Sequence, residues 1–176
     1  MEATTAELVA ALEDVRAAPA DDGSLELIAR RPAVGEREVL EEAELDAEHG
    51  LVGDSWSLRG KSPNPKAQLT LMNARAAALI AGERDRWPFA GDQLYVDLDL
   101  SGDNLPPGTR LEIGSAVVEV SDLPHLGCGK FSDRYGEDAR ELVNSPDGVA
   151  LNLRGINTRI VRNGTVRRGD AVRKLA

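Results

Sequence analysis

Thr158-Arg159-Ile160-Val161-Arg162-Asn163-Gly164-Thr165-Val166-Arg167 carries the clearest strand signal in the chain. β-Branched residues fill both arms, and Asn163-Gly164 is the dipeptide favoured in a two-residue hairpin turn. The stretch predicts a hairpin, then a turn at Arg168-Gly169-Asp170 and a last strand over 171–173. Similar signals recur upstream. Residues 110–113 and 116–120 flank Gly114-Ser115 as a second hairpin, while 68–72 and 94–100 alternate with period two. Further short strands are predicted over 25–29 and, with polar flanks, over 37–46. Three helices interrupt this pattern. Leu8, Val9, Leu12 and Val15 share one helical face before Pro19. Asn73 is placed to cap an alanine-rich helix that stops at Gly82, and Tyr135, Ala139, Leu142 and Val143 share a third face. Short strands with glycine turns and scattered helices predict a mainly β chain with attached helices (α+β) around a β-barrel core. The length suits one domain over 1–176, with 1–20 as an N-terminal helical extension.

The 176 residues carry a formal net charge of −9, which opposes general nucleic-acid binding. The charge is uneven: residues 1–50 hold fourteen acids against four arginines, whereas from Asn152 onward seven basic residues face only Asp170. That basic end serves either as ion-pair partner to the acidic half or as a local anion site. A single cysteine excludes an intrachain disulfide and suits a reducing compartment. The N-terminus lacks a basic and then apolar leader pattern, and the longest unbroken apolar run, 76–81, is too short to span a bilayer. The expectation is a soluble cytoplasmic protein with no membrane partner.

Chemistry concentrates in Ser121-Asp122-Leu123-Pro124-His125-Leu126-Gly127-Cys128-Gly129-Lys130-Phe131-Ser132, which holds the only cysteine and one of two histidines. Gly127 and Gly129 bracket Cys128, so the backbone can turn tightly and a ligand can come close. Lys130 puts a cation two residues away, and Ser132 is a candidate cap for a helix whose positive end would face the sulfur. Both favour thiolate over thiol. Lowering a cysteine from about 8.5 to about 6.5 takes roughly 2.7 kcal/mol of preferential stabilisation. A lone cysteine is otherwise a small buried apolar residue. Its neighbours make Cys128 the leading catalytic candidate, with Lys130 and His125 beside it.

Other motifs fail or stay weak. Gly127-Cys128-Gly129-Lys130 is no phosphate-binding P-loop, because Pro124 and Phe131 stand where that loop needs Gly and Ser or Thr. No G-x-S-x-G, C-x-x-C or H-E-x-x-H pattern is present. His125, Cys128 and His49 together would offer three ligands to a divalent metal such as zinc. Residues 58–66 read as a polar surface loop able to close as a lid.

With these segments in hand, the chain resembles the MOSC family, named for the C-terminal domain of molybdenum-cofactor sulfurases. The likeness covers 25–172 and rests on the order of Gly50-Leu51-Val52-Gly53-Asp54, Gly102-Asp103-Asn104-Leu105, Gly127-Cys128-Gly129-Lys130, Arg154-Gly155-Ile156 and Arg168-Gly169-Asp170. The resemblance implies a MOSC-like barrel of the small stand-alone bacterial type. It implies molybdenum cofactor as ligand, Cys128 bound to molybdenum, and reduction of N-hydroxylated compounds. Cofactor contacts are then expected from Cys128, Gly127, Gly129, Lys130, Arg154 and Asn104, with Arg159 as a further anion grip. Two alternatives stay open: a sulfur-transfer or thiol- and metal-dependent enzyme using Cys128 without molybdenum, and a non-catalytic ligand-binding module. The expected partners are a small-molecule cofactor or substrate and an electron- or sulfur-donor protein. Loops 49–56, 101–105, 125–130 and 153–156 should meet around Cys128.

Overall fold

The structure is a computed structural model that describes residues 4–176, so the first three residues of the expected N-terminal extension lie outside the described residues. Thr4 and Glu7 form a reciprocal capping box that opens helix α1 (Thr5–Arg16). Strands β1 (Gly23–Arg30), β2 (Glu38–Leu40), β3 (Glu42–Asp46) and β4 (Gly50–Leu51) follow, then short 3-10 turns at Ser55–Leu58 and Pro65–Ala67. Strand β5 (Leu69–Asn73) runs directly into α2 (Ala74–Ala81), where the Asn73 side chain caps two backbone N–H groups as its sequence position predicts. A 3-10 helix (Arg84–Ala90) precedes β6 (Leu94–Asp97). The hairpin of β7 (Arg110–Ile113) and β8 (Ala116–Val120) leads to α3 (Gly129–Tyr135), α4 (Glu137–Asn144) and α5 (Pro146–Ala150). The chain ends in β9 (Ile156–Arg162), β10 (Gly164–Arg167) and β11 (Ala171–Lys174).

Seven strands close into a barrel in the order β11-β7-β8-β9-β5-β6-β1, with β1 pairing back to β11. A ring of seven cannot alternate direction at every step, so one adjacent pair must be parallel. That pair is β5 and β6. Parallel neighbours need a crossover rather than a tight turn, and α2 with the Arg84–Ala90 helix supplies it. Period-two alternation then sorts the side chains. Leu69, Leu71, Leu94 and Val96 fill the barrel, while Met72 and Tyr95 point outward into a second core with Leu12, Val15, Ile80, Trp87, Phe131, Tyr135 and Leu142. Strand β1 changes phase at a bulge between Leu25 and Leu27, so Leu25 and Ile28 face inward and Leu27 and Ala29 face the helices. The α+β barrel read from the sequence is the observed architecture.

The hairpin expected across Asn163-Gly164 is a correction. Strand β9 pairs with β5 and β8, whereas β10 leaves the barrel for a small sheet of order β10-β3-β4. The Asn163 side chain accepts from Ala47 N at 2.7 Å and donates to Asp46 at 3.0 Å. A Cβ on Gly164 would come within 2.5 Å of Ala116 N. The dipeptide therefore bends the chain from one sheet to another, because a close backbone crossing there competes successfully with hairpin pairing.

Two tethers outside the barrel prepare the site. Tyr95 donates its hydroxyl to Trp87 O at 2.7 Å, and Tyr135 donates to Arg86 O at 2.8 Å, which fixes the Arg84–Ala90 helix. Buried Asp54 gathers the other wall: it accepts from Arg31 N (2.7 Å), Nε (3.2 Å) and Nη2 (2.9 Å), from Trp56 N (3.0 Å) and from Gln93 Nε2 (3.3 Å). Burial would raise its carboxyl, but the Arg31 bonds and charge, with two backbone N–H groups, hold it below the ordinary value. Such stability is fully present above the ordinary carboxylate range and is lost as pH falls through the depressed value. Asp54→Ala leaves Arg31 without its counter-ion and is expected to cost about 3–5 kcal/mol. Urea unfolding at neutral pH checks this; a loss below about 1 kcal/mol would contradict the assigned tether.

Candidate functional site

Cys128 occupies the N-cap position of α3, with extended backbone (φ −111°, ψ −177°) and an exposed side chain. The expected cap, Ser132, instead lies inside the helix and donates its hydroxyl to Gly129 O. The loop before Cys128 is pinned from two sides. Asn144 accepts from Gly127 N at 2.8 Å and donates to Gly127 O at 2.9 Å, while Asn157 donates to Leu123 O and Pro124 O. A Cβ on Gly127 would sit 2.7 Å from Val143 Cγ2, so this glycine serves close packing. Gly129 has nothing within 4 Å of its added Cβ and has no such steric role. The sulfur makes no full capping bond to the helix. Even so, the backbone N–H of Phe131 foremost holds the Cys128 thiol below its ordinary pKa; some burial opposes it, and Lys130 N–H and the Arg154 charge assist. Lys130 thus acts on the sulfur through its backbone.

Behind the sulfur lies a buried polar cluster. Arg154 pairs with Asp92 Oδ2 through Nη1, donates to Ala90 O through Nη2 at 2.7 Å, and stacks over Phe131 at 5.1 Å from the ring centre. His125 Nδ1 is 3.6 Å from Asp92 Oδ1, beyond hydrogen-bond reach. Both of those atoms, and Arg154 Nε, are buried without a hydrogen-bond partner. Gly155 makes this approach possible: at φ +121° its added Cβ would meet Leu71 O at 2.5 Å and Asp92 Oδ1 at 3.1 Å. Burial, then the Arg154 charge, push His125 down to about 4, so the imidazole is neutral near pH 7.

These residues open onto a cleft of about 810 Å³. Among the described residues six cations line it, Arg31, Arg37, Arg59, Lys130, Arg134 and Arg154, and no carboxylate side chain does. Buried Asp54 and Asp92 stand behind the wall and pair with Arg31 and Arg154. Arg37, Arg59, Lys130 and Arg134 have no carboxylate partner among the described residues, so about four positive charges remain in a protein of net charge −9. Arg37 and Arg59 are each depressed by burial first and then by neighbouring arginines.

Of the residues singled out in the sequence, Cys128, His125, Lys130 and Arg154 converge on this cleft. Asn104 does not: its amide donates to Ala20 O and Asp99 O and its carbonyl receives Lys174, so it holds its own turn. The 101–105 loop accordingly stays away from Cys128. His49 sits exposed in the β3–β4 turn against Asp46, and among the described residues no three His, Cys, Asp or Glu side chains gather for a metal. Arg159 lies on the outer face, paired with Glu119, as most of the basic C-terminal residues are paired with acids. Of the 49–56 loop only Ser55 lines the cleft, whereas Leu58 and Arg59 bring the start of the expected lid segment, 58–66, to its rim. Of the other cleft arginines, Arg31 and Arg37 stand out in sequence as bases amid the acidic first fifty residues, whereas Arg59 and Arg134 carry no such mark.

The histidine gives the site a pH signature. Between about pH 4 and 6.5 the unfolded chain protonates this imidazole and the folded chain does not, so stability rises with pH across that window. The wild type is expected to lose roughly 3 kcal/mol from this group on acidification to pH 4. His125→Gln should remove that part of the slope in urea unfolding from pH 4 to 7. An unchanged slope would contradict a buried, neutral His125.

Solved structures share this architecture. A crystal structure titled only as a hypothetical protein superposes with a TM-score of 0.63 at 18% identity, over 88% of this chain and 68% of that one. YiiM from Escherichia coli gives 0.59 at 19% identity, over 87% and 70%, and the YuaD protein from Bacillus subtilis gives 0.58 at 15%, over 86% and 94%. At such identities the likeness is one of fold. No curated protein sequence matches the chain. The family model of the MOSC domain matches residues 64–173, which take in β5 to β11, Cys128, Asp92 and Arg154. With most of its barrel and the wall behind its thiol inside that match, the chain belongs to the MOSC domain family.

Proposed function

We propose that this protein binds molybdenum cofactor in the 810 Å³ cleft, with the Cys128 thiolate as a ligand to the metal, and reduces N-hydroxylated compounds. The observation that carries the reading is the convergence of an exposed, acidified thiol and four uncompensated cations on one cleft without a lining carboxylate. The donor set fits the group. Thiolate is a polarisable, strongly donating ligand for a transition metal, the cations suit the pterin phosphate, and the volume lies within the range of about 300–1,000 Å³ usual for cofactor-sized ligands.

When bound, the cofactor supplies a metal centre able to pass two electrons to an N–O bond, drawn from an external donor protein. The chain's own residues handle binding and orientation. The α3 N–H groups favour the Cys128 thiolate, Lys130 and Arg154 place positive charge beside an anionic ligand, and Phe131 holds the Arg154 fork in orientation. Reduction of N–OH to N–H with release of water consumes two protons. Both protons come from solvent, and neutral His125 at the cleft wall offers a ring nitrogen that would orient the N-hydroxyl group. Among the described residues no helix is long and apolar enough to cross a membrane, and a free exposed thiol suits a reducing, cytoplasmic setting.

The exposure of Cys128 also favours a second reading, sulfur carriage. Its thiolate would attack the outer sulfur of a donor persulfide, forming a cysteine persulfide and releasing the donor thiolate. One experiment separates the readings. Wild type and Cys128→Ala, made in a host competent for the cofactor, are assayed for molybdenum, for oxidised-pterin fluorescence and for reduction of an N-hydroxylated base. The wild type should carry metal and pterin and turn over, while the variant should lose at least about 99% of activity. Repeated absence of both metal and pterin from the wild type, with a one-sulfur mass gain after a persulfide donor, would reject the first reading for the second. Absence of all three leaves a binding module.

A further inference from the structure

Asp92 and His125 face each other at the cleft wall as two buried groups that stop short of a bond. Asp92 Oδ1 and His125 Nδ1 lie 3.6 Å apart, and each is enclosed without a hydrogen-bond partner. Both are held from behind. The other Asp92 oxygen is taken by Arg154 Nη1. Gly155 leaves room for the approach, since a Cβ there would sit 3.1 Å from Asp92 Oδ1 and 3.5 Å from His125 Nδ1. Asn157 donates to Pro124 O, next to the histidine, and so steadies the backbone that carries the ring. The facing of these two atoms is therefore built by separate contacts on either side.

A neutral imidazole carries its proton on one nitrogen only. Were that nitrogen Nε2, the Nδ1 lone pair would face a carboxylate oxygen, two buried acceptors with no donor between them. With the proton on Nδ1, the N–H points at Oδ1, and closing the gap to a full bond takes roughly half an ångström. A low interior dielectric strengthens the preference. Arg154 leaves the choice to the ring, because its Nη1 is spent on Asp92 Oδ2 and its Nη2 on Ala90 O. Nδ1 is the enclosed end of the imidazole, whose side chain keeps 19% of its surface exposed and lines the cleft.

We infer that Asp92 is a positioning residue that holds the His125 proton on Nδ1, so that Nε2 is presented to the cleft as a hydrogen-bond acceptor. A ligand group at this part of the wall must then be a donor. The oxygen of a free N-hydroxyl group qualifies; that of an N-oxide or of an O-alkyl ether does not. This consequence for the ligand rests on the reduction proposed above, in which the pair selects the free N-hydroxyl over its O-substituted form. The position of the proton rests on the Asp92–His125 geometry alone. Asp92 thereby uses both oxygens, one to hold the Arg154 cation and one to set the polarity of a neutral ring.

Nitrogen NMR of the histidine rings in the purified protein near pH 7 tests this. The chain has two histidines and His49 lies in an exposed turn, so His49→Gln leaves a single imidazole to read. Nδ1 should show a pyrrole-type shift with a one-bond coupling to its proton, and Nε2 a pyridine-type shift. Asp92→Asn should reverse the two: its carbonyl keeps Arg154, its amide donates to Nδ1, and the proton moves to Nε2. A proton on Nε2 without the substitution, on both nitrogens, or spread over both tautomers overturns the inference, whether or not Asp92→Asn folds. A folded Asp92→Asn that keeps the original pattern removes the role of Asp92. The ligand consequence is read on loaded enzyme. The wild type should favour an N-hydroxylated base over its O-methyl ether by at least about tenfold in kcat/KM, and folded Asp92→Asn should narrow that ratio. A wild-type ratio near one, or a ratio unchanged in the folded variant, would deny Nε2 the contact. Should the protein hold no molybdenum, the ring-nitrogen pattern still stands or falls by itself.

Discussion

The buried ion pair between Asp92 and Arg154 is the contact on which the cleft depends. It joins the segment before β6 to the segment before β9, and Arg154 carries the link on to Ala90 O and to the Phe131 ring of α3. Both side chains are almost fully removed from water, a state that costs several kcal/mol unless bonds replace the lost hydration. Replacement is incomplete here, since Asp92 Oδ1 and Arg154 Nε have no partner. Of the two, only Arg154 lines the cleft; Asp92 stands behind it and holds it there.

Barrel topology explains why the pair sits where it does. Seven strands force one parallel step, the parallel step forces a helical crossover, and the crossover ends in the Pro88, Phe89 and Ala90 carbonyls beside β6. The α3–α5 segment between β8 and β9 then lays Cys128, Phe131 and Arg134 against that end. Electrostatics follow from the same arrangement. Most basic residues of the C-terminal half are paired with acids across the outer face, whereas at the cleft Arg37 and Arg134 are held by backbone carbonyls rather than carboxylates. A concave site focuses that field against an overall charge of −9.

What could be read in advance was whatever local chemistry decides. The alternation of β5, β6 and β8, the Asn73 cap and the Gly114-Ser115 hairpin depend on neighbours in sequence, and they appear as expected. Cys128 was legible because its neighbours themselves favour a thiolate. Asn163-Gly164 misled for the opposite reason: the same dipeptide serves a hairpin or a bend, and only the distant Asp46–Ala47 turn and the Ser115–Ala116 crossing decide which. Asn104 looked like a ligand residue and is a turn residue for want of any local mark separating the two. The seating of Arg37, Arg134 and Arg154 on the Pro88, Phe89 and Ala90 carbonyls was hidden because these contacts lie 45 to 64 residues apart, between side chains and carbonyls that have no sequence signature.

The central claim is that the Cys128 sulfur is the protein's ligand to a metal held in a cationic cleft. Molybdenum K-edge X-ray absorption on the loaded protein addresses it directly, by counting sulfur scatterers around the metal in wild type and in Cys128→Ser. The account requires one metal–sulfur contact fewer in the variant, replaced by a lighter atom. An identical sulfur shell in both proteins would contradict it, and would leave Cys128 as a reactive surface thiol beside the site.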